Sequence, residues 1–349
     1  MTGQWMRREI SEQPDRWLDL IESQRGAITA AADRINAGPD VLLRTVARGS
    51  SANAGAYFAY VAAQEWGRLV VEARPAAVTV LNQTSLGPRS ANIVLSQSGG
   101  SPDRRAVADA ARKAGELVIA MTNAPASPLA RIADVHVDLS AGTERSVAAT
   151  KSYTAELIGL FALVRAATGH RWSAIEEAVA GAAEVARRTI PAAEVWARRT
   201  AGEWSDVDRA LLIGRGPSLA SALEGALKLV ETSGIAASGW SSAEVMHGPL
   251  GQVSAGVPVL TFGSGTDGHD STIDAARAAQ ALGARVYAIG AGYPGAHEAL
   301  PTDGINGVDR GLVPTVEVIA VQHLALALAT SRHRNPDAPV GLAKVTRTT

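Results

Sequence analysis

The chain has 349 residues, a length that suits two domains better than one. Hydrophobic residues make up 46% of the sequence and charged residues 19%, a composition that argues against disorder and against a coiled coil. With 33 Lys and Arg against 34 Asp and Glu, the chain lacks the basic excess that nucleic-acid binding requires, and the absence of cysteine excludes disulfides, a thiolate nucleophile and Cys-ligated zinc.

The first 34 residues predict a helical segment that lacks the apolar core of a signal peptide. No run of about 18 apolar residues occurs in the sequence, so we expect no membrane-spanning helix. These features favour a cytoplasmic protein without a membrane partner.

The rest of the chain contains a diverged internal repeat. An Arg-Gly pair follows an apolar run twice, at Arg48-Gly49 and again at Arg215-Gly216. Further along, the helix-favouring stretch 108–115 returns as 273–280. Each copy has the order strand, Gly/Ser turn, helix, strand, Gly/Ser turn, helix, strand. This order predicts a parallel sheet covered by helices on both faces.

The predicted fold class is therefore α/β, with two similar doubly wound αβα domains. The strand runs are rich in Val, Ile and Leu without polar alternation, as expected for strands buried on both faces. The predicted organisation is an N-terminal helical segment at 1–34, a first domain at 35–165, a helical connection at 166–199 interrupted at Pro191, a second domain at 200–335 and a tail at 336–349.

Two Ser/Gly turns of the first domain follow predicted strands and precede predicted helices. One is Gly49-Ser50-Ser51, and the other is 96–101, with Pro102 suited to an early helix position. Backbone N–H groups at a helix start attract an anion, and serine hydroxyls add donors. Simple helix capping and a phosphomonoester site both fit this pattern. The corresponding turn of the second domain, 262–268, has fewer hydroxyls, so we expect one phosphate site per chain.

A charged face is predicted in the second domain. Glu224, Lys228 and Glu231 are spaced i, i+4 and i+7, which places them on one face of a helix. An exposed ion-pair ladder is one interpretation. The mostly apolar neighbours favour a buried helix instead, where a carboxylate has a raised pKa and can shuttle protons near neutral pH.

Two further segments carry residues of interest. His247 precedes Gly-Pro and is expected at a helix end or in a loop, where Glu244 could orient its imidazole or a substrate amine. Only one histidine lies in that segment, so we predict no metal site. In the first domain, Glu144 and Lys151 lie around the start of a predicted helix and are interpreted as helix-face charges.

Six stretches in order resemble the SIS (sugar isomerase) family, in its members with two tandem domains. They are 6–14, 96–103 (SQSGGSPD), 141–157, 214–235, 241–250 and 341–344 (GLAK). The resemblance implies two five-stranded parallel sheets with helices on both faces, assembled as a homodimer. The chain is similar to the isomerase half of glucosamine-6-phosphate synthase, and its Gly-Ser-Pro-Asp at 100–103 is more similar to the SIS-type aminosugar-phosphate deaminases.

The resemblance also implies roles for individual residues. The sugar phosphate would be bound by Ser51, Ser96, Gln97, Ser98 and Ser101. Glu231 would move a proton between C1 and C2, and His247, reaching the site from the partner subunit, would assist ring opening. Lys344 in the tail would close over the sugar; it matches the lysine that forms an imine in the synthase. Glu224 and Lys228 would contact or support the sugar. No cofactor and no metal are implied.

The activity implied is conversion of glucosamine 6-phosphate and water to fructose 6-phosphate and ammonia, by an enzyme without a glutaminase domain. One alternative is a deaminase, isomerase or deglycase acting on another aminosugar or fructosamine phosphate. Another is a non-catalytic sugar-phosphate sensor, although only about 35 residues precede the first domain, too few for an independent DNA-binding domain. The sequence leaves open the sugar epimer, the direction of reaction and the role of Arg48, which replaces a small or sulfur-containing residue of the synthase.

Overall fold

A computed structural model describes residues 2–38, 42–83, 89–263, 268–290 and 293–344. These residues form two compact units, each built around one sheet. The first-sheet unit is drawn from Asp15–Thr143, Lys151–Val179 and Lys344, and the second-sheet unit from the chain up to Pro14, Glu144–Thr150 and Ala180–Ala343. The domain boundaries predicted from the sequence stay predictions.

The first-sheet unit contains five parallel strands in the order β2-β1-β3-β4-β5. The strands are β1 (Leu42–Val46), β2 (Val70–Glu72), β3 (Ser90–Ser96), β4 (Leu117–Thr122) and β5 (Val135–Asp138). The helices of this part of the chain are α1 (Gln4–Asn36), α2 (Ser50–Val61, followed by a π-turn at Ala62–Trp66), α3 (Ala76–Thr79), α4 (Pro102–Lys113), α5 (Pro128–Ile132) and α6 (Lys151–Ala167). The central strand β3 is buried at every position. Its apolar stretch Ile93–Leu95 fits this burial, and its buried polar Asn92 donates to the Glu116 carboxylate at 2.9 Å.

The second-sheet unit repeats this arrangement. Its strands are β6 (Arg209–Gly214), β7 (Ala236–Ser241), β8 (Pro258–Gly263), β9 (Arg285–Gly290) and β10 (Glu298–Leu300). Its order from one edge, β7-β6-β8-β9-β10, is that of the first sheet, and all pairs are parallel. The helices are α7 (Trp172–Glu203), α8 (Leu219–Lys228, followed by a π-turn at Leu229–Ser233), α9 (Ser242–Val245), α10 (His269–Ala281) and α11 (Val313–Ser331). Short 3₁₀ turns lie at Gly216–Ser218, Pro249–Gln252, Ile305–Gly307 and Arg310–Leu312. The predicted α/β fold with two five-stranded sheets is confirmed.

The predicted interruption at Pro191 is wrong, because α7 runs through it without a break. Proline removes one backbone hydrogen bond and crowds the preceding turn. Here apolar residues on both sides of it, among them Ala186 and Ala193, are fully buried. We attribute the continuity of the helix to this burial, which extends across the weak point.

The described part of the chain contains one helix long and apolar enough to cross a membrane by composition alone, at Arg310–Ser331. Nearly all of its most apolar stretch is buried inside the protein. Glu317, Gln322 and His323 interrupt it, which is why the sequence shows no unbroken apolar run there. These features are those of a core helix.

Candidate functional site

The two Ser/Gly turns of the first sheet follow adjacent strands. In the order β2-β1-β3-β4-β5, the strand order reverses between β1 and β3, and a doubly wound sheet binds ligands beyond the carboxyl ends of the strands at this point. The turn after β1 leads through Gly49 into α2, and the turn after β3 leads through Ser101 into α4. The predicted phosphate turns therefore lie side by side, each at the start of a 12-residue helix.

The conformation of the second turn depends on Gly99. Its φ of +58° lies in the left-handed region, and a Cβ at this position would stand 2.1 Å from the Ser127 hydroxyl oxygen. The N–H of Gly99 donates to the Ser96 hydroxyl oxygen (3.1 Å), and the N–H of Gly100 donates to that of Ser98 (3.4 Å). The turn is thus held by its own serines, with Gln97 half-buried between them.

The serine hydroxyls of this site fall into two groups. Ser51 donates to the buried Glu156 carboxylate at 2.8 Å, and Ser101 donates to the buried Asp103 carboxylate at 2.6 Å. Within the described residues, Ser96 and Ser98 only accept, from backbone N–H groups. Ser98 is half-buried and keeps its own proton for a ligand, whereas Ser96 is fully buried in the turn. An anion in this turn would therefore meet the Ser98 hydroxyl and the N–H groups of the helix start.

Asp103 links the second turn to the first. One carboxylate oxygen accepts from Ser101 and from the N–H of Arg104, and the other accepts from the Arg48 Nε at 2.8 Å. Burial by itself raises the pKa of Asp103, but these hydrogen bonds outweigh it and hold the pKa below its usual value of 3.8. Arg48, whose role the sequence left open, thus forms an ion pair between the two turns.

The charged face predicted in the second domain forms a compact cluster. The Lys228 ammonium is fully buried, 3.3 Å from the Glu224 carboxylate and 2.5 Å from that of Glu231. Burial lowers the pKa of Lys228, but the two carboxylates more than reverse this and raise the pKa above its usual value. Of the three side chains only Glu231 is exposed, by 23%, so it alone is open to a ligand.

A π-turn modifies the spacing that predicted this cluster. The α-helical part ends at Lys228, and Glu231 lies in the π-turn Leu229–Ser233. The extra residue in this turn widens the helix, yet Lys228 still reaches both carboxylates. Turns of this kind occur often at functional sites.

His247 lies in a turn just after α9, as predicted, and is exposed. Its backbone N–H donates to the Glu244 carbonyl oxygen at 2.9 Å. Within the described residues no hydrogen bond joins the two side chains, so Glu244 does not orient the imidazole in this arrangement.

The interpretation of Glu144 and Lys151 as helix-face charges is wrong for Glu144, which lies in a loop, while Lys151 is the first residue of α6. Both are buried, with exposures of 6% and 2%. Glu144 lies in the loop before α6 and accepts the N–H of Thr150 at 3.0 Å, so its carboxylate fixes the loop rather than covering a helix face.

The tail is anchored to the start of α1. The Asp337 carboxylate accepts hydrogen bonds from the backbone N–H groups of Trp5 (3.2 Å) and Met6 (2.8 Å). The Asp337 carbonyl oxygen accepts a hydrogen bond from the N–H of Val147 (3.0 Å). Lys344 follows seven residues later and is half-buried in the first-sheet unit. Residues 345–349 of the predicted tail, and 264–267 of the second-domain turn, lie outside the described residues.

Sequence reasoning missed two carboxylates of the site. Glu156 lies 105 positions from its partner Ser51, and no local pattern marks it. Asp103 stands two residues after Ser101, a spacing at which a side chain commonly bonds back into a turn, so it was open to prediction. Among the residues that the structure describes, no group of three or more His, Asp or Glu is placed to hold a metal ion.

The SIS domain family profile matches residues 43–166 and 204–300, more than half of the chain. The chain therefore belongs to the SIS domain family, which confirms the resemblance drawn from its motifs.

The chain is also similar to individual proteins of known sequence. The chain is 30% identical over 356 residues to the isomerizing glutamine–fructose-6-phosphate aminotransferase of Thermococcus kodakarensis, a match that spans 97% of this chain and 57% of that enzyme. The chain thus spans little more than half the length of the curated relatives it matches.

Solved structures show the same fold. A protein of Silicibacter pomeroyi described as a candidate phosphosugar isomerase is 28% identical, with a TM-score of 0.80 over 96% of this chain and all of that one. The glucosamine-6-phosphate deaminase of Thermotoga maritima is 19% identical, with a TM-score of 0.78 over 99% of this chain and all of that one.

Proposed function

We propose that this protein is a phosphosugar isomerase that deaminates an aminosugar phosphate, converting glucosamine 6-phosphate and water to fructose 6-phosphate and ammonia. The observation that carries the proposal is the partly exposed Glu231 carboxylate, held on a buried ammonium in a chain that also carries a serine-rich anion turn. Membership of the SIS domain family, and a relative whose name places fructose 6-phosphate and isomerisation in one enzyme, support it.

The reaction needs one base that acts on two adjacent carbons. Glu231 takes the proton from C2 of the open-chain aminosugar while the C1 oxygen gains a proton, giving an enolamine; Glu231 then returns its proton to C1 as the amine loses one, which balances the proton taken up by the C1 oxygen. The product is a 2-imino sugar, and water adds to its C2=N bond and releases ammonia, leaving the C2 ketone of fructose 6-phosphate. Lys228 keeps the carboxylate in place throughout, because it is fully buried and bonded to it.

The remaining residues bind and open the substrate in this proposal. Ser96, Ser98 and the N–H groups of the turn hold the phosphate, with Gln97 beside them. His247 transfers a proton at the ring oxygen to open the sugar. Lys344 closes over it. We also propose a homodimer in which His247 is supplied by the partner subunit, which agrees with its exposure in the single chain.

The test is ammonia release across glucosamine 6-phosphate, galactosamine 6-phosphate and fructosamine 6-phosphate, with unphosphorylated glucosamine as control. We expect release from glucosamine 6-phosphate and none from glucosamine. Release from one of the other phosphates alone would move the proposal to that substrate. Binding of the phosphates without release or isomerisation of any would overturn it in favour of a sensor.

A further inference from the structure

Arg48 lies where the two predicted phosphate turns meet. It follows β1, and its Nε donates to Asp103 in the first turn of α4. Within the described residues, its two terminal nitrogens form no hydrogen bond. The Arg48 side chain is 51% exposed, whereas that of Asp103 is 1% exposed.

The two ends of this ion pair face different surroundings. Both carboxylate oxygens of Asp103 are engaged, because one accepts from Ser101 and the Arg104 N–H and the other accepts from Arg48. The negative end of the pair therefore faces the protein and the positive end faces solvent. A guanidinium held through Nε still presents its outer edge, Nη1 and Nη2, which can donate two parallel hydrogen bonds to a phosphate.

We propose that Arg48 is a specificity-determining ligand for the substrate phosphate, selecting the dianion of a phosphomonoester, and that Asp103 is its positioning residue. The proposal rests on the proposed function and deepens it. From the sequence, the turn offers only neutral donors and helix N–H groups. With Arg48 the site gains a full charge, which favours the dianion over the monoanion that predominates below the second phosphate pKa of about 6.

The experiment measures binding of fructose 6-phosphate by calorimetry at pH 7.5 and 5.5. The variants are Arg48→Met, Arg48→Lys and Asp103→Asn, with Arg188→Met as the matched control. Arg188 is equally exposed (51%) and pairs with Glu184 at 2.9 Å on α7, so its loss reports the general effect of removing a surface arginine.

At pH 7.5 we expect Arg48→Met to weaken binding about 10- to 100-fold. Arg48→Lys should weaken it less, because lysine keeps the positive charge but cannot donate two parallel hydrogen bonds. Arg188→Met should bind as wild type. The loss of affinity between pH 7.5 and 5.5 should be smaller in Arg48→Met than in wild type. Asp103→Asn should weaken binding in the wild-type background and have little effect beside Arg48→Met, as expected for a residue acting through another.

Two failures are distinguishable. If wild type binds fructose 6-phosphate and Arg48→Met binds it equally well at both pH values, Arg48 is only a structural ion pair and this inference is wrong. In that case, thermal denaturation of Arg48→Met would show a loss of stability without a loss of binding. If Arg48→Met does not fold, Arg48→Lys tests the same inference. If wild type does not bind the compound at all, the proposed function itself fails.

Discussion

Lys228 determines what its two carboxylate neighbours can do. It is fully buried between Glu224 and Glu231, so removing it would leave two carboxylates near an apolar core without a counter-ion. Loss of one partner of a buried ion pair typically costs about 3–5 kcal/mol. A substitution at Lys228 would thus confuse folding with catalysis, whereas a substitution at Glu231 leaves Lys228 paired with Glu224.

Glu231→Gln is therefore the direct test of the proton shuttle. Glutamine keeps the size and accepts a hydrogen bond from Lys228 but cannot take a proton. We expect C2–H exchange in heavy water, followed by NMR, to slow about 100- to 10,000-fold together with ammonia release. Binding of fructose 6-phosphate should be unchanged.

Glu184→Gln, which changes an exposed glutamate of α7, serves as the control for this measurement. Exchange at the wild-type rate in Glu231→Gln would show that another group moves the proton, and His247 or Glu244 would be examined next.

His323 gives the stability of the protein a pH dependence. It is buried in α11, and burial lowers its pKa to about 4; Glu194 opposes this effect, and Arg7 and Arg198 add to it. The unfolded chain has a His pKa of about 6.5, so between pH 6.5 and 4 the unfolded state binds more protons than the folded state. Stability is therefore lost as the pH falls through this window.

From His323 alone, we expect the free energy of unfolding to fall by about 2 kcal/mol between pH 7 and pH 5. Urea denaturation at the two pH values measures it. His323→Gln should remove this part of the pH dependence, and the exposed His247→Gln should retain it. An equal pH dependence in wild type and His323→Gln would contradict the expectation.

At the scale of secondary-structure elements, α1 relies on a distant residue for its cap. Gly3, just before the helix, has no side chain to accept the first N–H groups, and the Asp337 carboxylate accepts two of them instead. We expect Asp337→Ala to lower the free energy of unfolding by about 1 kcal/mol and to speed hydrogen exchange at Trp5 and Met6.

Asp337→Asn is the matched variant, because its amide oxygen can still accept and should preserve most of the stability. Unchanged exchange at Trp5 and Met6 in Asp337→Ala would mean that solvent caps the helix equally well.

The sequence was sufficient to predict those elements whose signal is local. The inner strands β1, β3, β4, β6, β8 and β9 follow from apolar runs, whereas the edge strands β2, β5, β7 and β10 are short or partly polar and carry no such signal. α4 begins at the predicted Pro102, and the Lys228 cluster follows from helical spacing. Contacts between distant positions were not predictable. The Arg48–Asp103 pair joins residues 55 positions apart, and no pattern in the sequence indicates that the two side chains meet. The continuity of α7 through Pro191 likewise depends on burial, which a sequence pattern does not reveal.

At the scale of the whole molecule, the proposed dimer makes a prediction about mixed subunits. Glu231→Gln and His247→Ala each disable one residue, and a site shared between subunits combines Glu231 from one chain with His247 from the other. A heterodimer of the two variants would then contain one intact site. We expect each heterodimer in the mixture to have up to about half of the activity of a wild-type dimer, because it contains one intact site instead of two.

The control is a mixture of Glu231→Gln with wild type, in which subunit exchange is followed by mass spectrometry. If exchange occurs and the mixture of variants stays inactive, each site is built within one chain, and the proposal of a shared site is wrong.

The cap on α1 also has a consequence for synthesis on the ribosome. The carboxylate that the Trp5 N–H meets belongs to a residue added to the growing chain 332 positions later. At about 5–20 residues per second, the first turn of α1 waits on the order of tens of seconds for its partner. The strands of the first sheet all lie before residue 140, so they are synthesised long before Asp337. During synthesis, the first turn of α1 would thus gain its cap only after all strands of the first sheet have been made.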